Sequence, residues 1–124
     1  DNIIGEEEDL LINAILISIE EVPDLVCEYG GVCYPAHIDR QSNGIISVLG
    51  TFPDSPYFKC FELHDGAKRD EYVQKYGLQD KISIVSSDAH TLGDMRDCEN
   101  YFDLDDEPYS SELVRKRLFE RLRG

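Results

Sequence analysis

Three short apolar runs in this chain each lead into a histidine, and this pattern constrains the fold more than any other feature. The runs are residues 32–36, 58–64 and 82–85, and their histidines are His37, His64 and His90. Short apolar runs bounded by polar turns are typical of buried strands, and helical segments separate these three. Strands that alternate with helices favour parallel βα units, whose functional groups collect at the carboxyl ends of the strands. The sequence therefore predicts an α/β fold with its histidines at one edge of a parallel sheet.

Capping signals and glycines place the helices. The spacing of Ser18 and Glu21 is that of a capping box, so the first helix begins at Ser18 or, with Pro23 in its first turn, near Glu21. Gly30 ends it. The run at 10–17 fits a strand or a helix equally well. Further helices are predicted at 45–49, 68–76 and 110–122, the last of them capped by Ser110 or Ser111, and a last strand is predicted at 100–104.

Length and charge narrow the class of protein. The 124 residues form one domain, 1–124, and no apolar run approaches the roughly 20 residues that span a bilayer. The chain begins with Asp1 rather than Met, so we expect a piece of a longer protein. A net charge of -14 argues against nucleic acid or an anionic membrane as the main partner. Four cysteines without a C-x-x-C pair are expected to be reduced thiols of a cytoplasmic protein.

The D-x-H sequence after the 82–85 run carries the clearest chemistry. In extended backbone Asp88 and His90 point to the same side, so a carboxylate oxygen and an imidazole nitrogen meet at one point. Such a pair suits a divalent transition metal. An isolated D-x-H is more often a capping aspartate beside a surface histidine. The two other strand ends with histidines favour the metal site.

These motifs together resemble those of the PHP family, the polymerase and histidinol phosphatase domains. PAHIDR at 35–40, FELHD at 61–65 and SSDAHTLGDM at 86–95 are similar to its third histidine motif, a glutamate-bearing strand and its final D-x-H motif. The likeness extends from residue 1 to about 102 and matches the carboxy-terminal half of a bacterial PHP protein. It implies a partial, half TIM-like barrel, distorted and built of parallel βα units.

The resemblance also implies roles for individual residues. The metal ligands would be His37, Asp88 and His90. Glu62 matches a family carboxylate near the site, and His64 falls where the family varies. Arg40 would contact a substrate phosphate, although lining the pocket or pairing with Asp39 explains it equally well. The implied cofactors are divalent metal ions, with zinc, manganese or iron favoured over magnesium because imidazoles ligate.

One departure from the family limits the expected activity. The family's H-x-H motif and its second motif have no counterpart, and three histidines cannot supply them. We therefore expect a metal-dependent phosphoester hydrolase acting on a small phosphorylated substrate, whose metal cluster is incomplete in this chain and which turns over poorly alone. The alternative is a catalytically degenerate PHP-like interaction or regulatory module. A half barrel exposes strand edges, so self-association is also expected.

Overall fold

In the computed structural model, which describes residues 15–104 and 111–124 and positions 3, 5, 6 and 8, two helices precede the first strand, and strands and helices alternate from there. The helices are α1 (Val22–Glu28), α2 (Ile45–Leu49), α3 (Arg69–Tyr76) and α4 (Ser111–Arg123), and the strands are β1 (Cys60–Leu63) and β2 (Ile82–Val85). Short 3₁₀ turns lie at Gly66–Lys68 and Leu92–Asp94. The fold is mixed α/β, as predicted. Across the described ranges, no helix is both long enough and apolar enough to cross a membrane.

The two strands are parallel neighbours. Their register pairs Cys60 with Ile82 and Leu63 with Val85. One more bond, from the Ser86 N–H to the Leu63 carbonyl (3.2 Å), extends the pairing past the end of β2. Because both carboxyl ends lie at one edge, the loops that follow β1 and β2 are adjacent, which confirms this part of the sequence prediction.

The 32–36 segment runs along the other side of β1, but it does not form a regular strand. The prediction of a strand there is therefore wrong, although the segment lies where that strand was expected. The Glu62 N–H donates to the Pro35 carbonyl (2.9 Å), and the Glu62 carbonyl accepts from the Ile38 N–H (2.9 Å). A single residue bonded to two positions on its neighbour indicates a parallel arrangement. In a regular ladder those positions are two apart. Here they are three apart, so His37 is an extra residue, as in a bulge.

The helix predictions hold at most boundaries. In α1, Pro23 lies in the first turn, which is the second of the two predicted starts. The Ser18 N–H donates to the Glu21 carboxylate (2.9 Å) just before it. This contact lowers the pKa of Glu21. The helices predicted at 45–49, 68–76 and 110–122 are α2, α3 and α4.

The predictions at 100–104 and 10–17 are not confirmed. The strand predicted at 100–104 is wrong, because those residues form neither a strand nor a helix. For the ambiguous run at 10–17, residues 10–14 lie outside the described residues, and 15–17 are in neither a helix nor a strand.

The hydrophobic core lies under β1 and extends to the loop that precedes α2. Phe61, Leu63, Leu78 and Ile38 are each at most 1% exposed. Phe52 packs edge-on against Phe61, with ring centroids 6.5 Å apart. Burying each such side chain contributes about 1.5–3 kcal/mol. Since Ile38 is part of this core, the residues on either side of it are held against the end of β1.

Candidate functional site

Three of the predicted site residues meet where the 32–36 segment and β2 end. The Asp88 Oδ2 atom lies 4.0 Å from His37 Nε2 and 3.2 Å from the Arg40 guanidinium. The side chains of His37 and Asp88 are about one-fifth exposed or less, whereas that of Arg40 is 40% exposed. A carboxylate, an imidazole and a guanidinium therefore face one another at the rim of the sheet.

Glu62 holds His37 in this position. His37 is the extra residue that interrupts the hydrogen-bond pattern between the 32–36 segment and β1. The His37 N–H donates to Glu62 Oε1 (3.3 Å) instead. The φ of His37 is 32°, in the left-handed region that costs a side-chain-bearing residue about 1–2 kcal/mol. The carboxylate thus stabilises a strained backbone that presents the imidazole to Asp88. Tyr34 lies nearby, and burial, followed by the Glu62 charge, raises its pKa.

Asp39 has a structural role that the sequence did not indicate. Its side chain is 1% exposed, and its two oxygens accept the N–H groups of His64 (2.7 Å) and Asp65 (2.9 Å). Lys68 Nζ lies 3.9 Å away. Asp39 therefore ties the loop after β1 to the loop that carries the site. The suggested pairing of Arg40 with Asp39 is wrong, since Arg40 contacts Asp88.

The two residues of the D-x-H motif do not converge through extended backbone. Asp88 has a φ of 51°, in the left-handed region, so the expected alternation of side chains is lost. His90 is exposed, and its Nδ1–H donates to the backbone carbonyl of Asp88 (2.8 Å). In the neutral ring this bond places the proton on Nδ1 and leaves the lone pair on Nε2, the atom through which such a ring ligates metals.

The L-G-D part of the same motif caps a turn. The Asp94 carboxylate accepts from both the N–H (3.0 Å) and the hydroxyl (2.8 Å) of Thr91. These bonds lower the pKa of Asp94. The fixed turn restrains the chain directly after His90, so this aspartate serves the loop's shape.

His64 makes its side-chain contacts with Arg96, a residue that the sequence reasoning did not single out. Arg96 donates to the His64 carbonyl (2.8 Å) and to its Nε2 (3.3 Å). The His64 Nδ1 atom is buried without a hydrogen-bond partner. Arg96 lies in an irregular loop, and a lone arginine there carries no pattern that would have identified it.

The donor atoms suit a divalent metal ion in type but converge only in part. His37 Nε2 and Asp88 Oδ2 face each other, and the His37 Nδ1 atom is buried without a partner. A ligating histidine normally donates its other ring N–H to a neighbouring acceptor, so the unpartnered Nδ1 leaves a ligand at Nε2 without that support. Among the described residues, no three His, Cys, Asp or Glu side chains group closely enough to hold an ion. The described part of the site therefore offers two converged ligands, and His90 follows Asp88 by two residues in the chain.

Comparison with protein-family models, with curated proteins and with solved structures finds no match to this chain in any of the three. The resemblance to the PHP family therefore stays a prediction from three sequence motifs. The function must be inferred from the contacts between the site's own residues.

Proposed function

We propose that this chain carries one half of the site of a PHP-type, metal-dependent phosphoesterase. The observation that supports the proposal is the contact of Asp88 with His37 at 4.0 Å and with Arg40 at 3.2 Å. A carboxylate and an imidazole are metal ligands, and a guanidinium binds phosphate oxygens in pairs. Of the three non-glycine residues with left-handed φ in the described chain, His37 and Asp88 are at this site, whereas Asn43 lies in the turn before α2. Backbone strain at two of the site's residues is consistent with a functional role.

Each residue of the site has a role in this proposal. His37 and Asp88 would hold a zinc, manganese or iron ion, with His90 as a further ligand. Arg40 would orient the phosphoryl group of a small substrate, and Glu62 would keep His37 in place through the bond to its N–H. A bound ion would supply hydroxide near neutral pH and polarise the phosphoryl oxygen.

The proposal also includes the fold of the enzyme and its cellular compartment. The 32–36 segment, β1 and β2 would be three neighbouring positions of a partial, distorted TIM-like barrel, with the site at their carboxyl ends. Ligands that complete the metal cluster would come from elsewhere in the assembled enzyme. The protein would be cytoplasmic, where its free cysteines remain reduced.

Metal binding by the purified chain tests the proposal. We expect weak binding of Mn²⁺ or Zn²⁺ that is lost in Asp88→Asn and reduced in His37→Ala. Asp70→Asn is the matched control, because Asp70 is an exposed residue of α3. Slow, metal-dependent hydrolysis of p-nitrophenyl phosphate should follow the same order. Equal metal binding by the Asp88 and Asp70 variants would contradict the proposal.

A second candidate is a catalytically degenerate PHP-like module that binds another protein or a second copy of itself. Three observations favour it. The described residues bring only two ligands together, and Arg40 already neutralises the Asp88 carboxylate. In the described part of the chain, no strand pairs with the outer edge of β2. A metal-free chain that forms a stable oligomer, measured by light scattering during gel filtration, would favour this candidate.

A further inference from the structure

The Asp88 oxygen nearest His37 is already occupied by a cation of the protein itself. Oδ2 of Asp88 is 3.2 Å from Arg40 Nη1, closer than the 4.0 Å to His37 Nε2. A divalent ion held between His37 and Asp88 would have to take this oxygen from the guanidinium. Two positive groups would otherwise lie side by side at one carboxylate.

Arg40 is free to leave that position. Its side chain is 40% exposed, about twice as much as that of Asp88. Within the described part of the chain, Asp88 is its one ion-pair partner. The backbone beside it stays fixed, because the Arg40 N–H donates to the His37 carbonyl (3.0 Å) and Ile38 is in the core. The guanidinium can therefore turn outward without moving the loop.

We propose that Arg40 couples oxyanion binding to metal binding at Asp88, an inference that rests on the proposed function. A phosphate or phosphonate group offers paired oxygens that match the guanidinium better than one carboxylate oxygen does. When Arg40 turns to such an anion, Asp88 becomes free for the metal ion. Linkage requires the reverse as well, so a bound metal ion strengthens binding of the anion.

The expected size of the effect follows from the exposure of the pair. Exposed ion pairs are weak, so release of Asp88 should tighten metal binding roughly two- to fivefold. Arg40→Gln should therefore bind Mn²⁺ two- to fivefold more tightly than the wild-type chain. A residue that merely supported the site would give the opposite result, because its loss would weaken binding.

Electron paramagnetic resonance of free Mn²⁺ measures this affinity, with phenylphosphonate as a phosphate-like anion that is not hydrolysed. Phenylphosphonate should raise the affinity of the wild-type chain several-fold and that of Arg40→Gln much less. Arg96→Gln is the matched control for the change in net charge, because its guanidinium contacts His64. Arg40→Lys, which keeps the charge but loses the paired donors, should retain weak metal binding and lose most of the phosphonate effect.

The outcomes separate this inference from the proposed function. Tighter binding by Arg40→Gln, but not by Arg96→Gln, would support the coupling, including when the wild-type chain alone binds too weakly to detect. Unchanged or weaker binding by Arg40→Gln, with Asp88-dependent binding by the wild type, would overturn the coupling and leave the metal site standing. No Mn²⁺ binding by any form, with or without phenylphosphonate, would overturn both.

Discussion

Replacing Asp39 with asparagine should destabilise the protein far more than an equivalent change at the surface. Its carboxylate accepts two N–H groups, from His64 and Asp65, and hydrogen bonds to a charged group contribute about 1.5–3 kcal/mol each. Asparagine keeps one acceptor oxygen, while its NH₂ group faces the second N–H. The loss of one bond and an unsatisfied donor should lower the free energy of unfolding by about 2–4 kcal/mol.

Urea unfolding followed by far-UV circular dichroism measures this change. Asp70→Asn is the control, because the side chain of Asp70 is 86% exposed. In the described part of the chain, its one ion pair is with the neighbouring Arg69. The control should change stability by less than about 0.5 kcal/mol. If Asp39→Asn cost no more than Asp70→Asn, burial of the Asp39 carboxylate would outweigh its bonds, and its assigned role in joining the two loops would be refuted.

Two further substitutions test the loop at the site and the burial of Cys60. At Gly44, a Cβ atom would lie 2.8 Å from the Arg40 carbonyl and 3.1 Å from that of His37, so Gly44→Ala should cost about 1–3 kcal/mol and weaken Mn²⁺ binding. Gly93→Ala, whose Cβ would have nothing nearer than 3.8 Å, should leave both values unchanged, and equal effects would contradict this account. Burial raises the pKa of the Cys60 thiol from 9.0 to about 11. Because the folded state holds that proton more tightly, the stability from the neutral thiol is present below pH 9 and is lost as the pH rises towards 11. Relative to Cys60→Ser, which does not ionise there, the wild-type free energy of unfolding should fall by up to about 2 kcal/mol between pH 9 and 11 in urea titrations; a constant difference would show that the thiol is not shielded.

Local signals predicted most of the secondary structure because they act between near neighbours. Gly50 and Gly77 end α2 and α3 in left-handed conformations, as the sequence indicates for helix ends. The apolar run at 82–85 is a strand with the predicted bounds. The 32–36 segment failed as a strand because its pairing with β1 shifts by one residue at His37, and no local pattern encodes that shift.

The sequence by itself determined which residues lie at the carboxyl ends of the strands, because short apolar runs followed by polar turns specify where parallel strands stop. It did not determine which of these residues touch. Only the tertiary structure paired Arg40 with Asp88, buried Asp39 under the two loops and turned His90 towards the backbone of Asp88. Such contacts depend on strand register and on left-handed backbone at two positions, and both are decided by packing between segments distant in the chain.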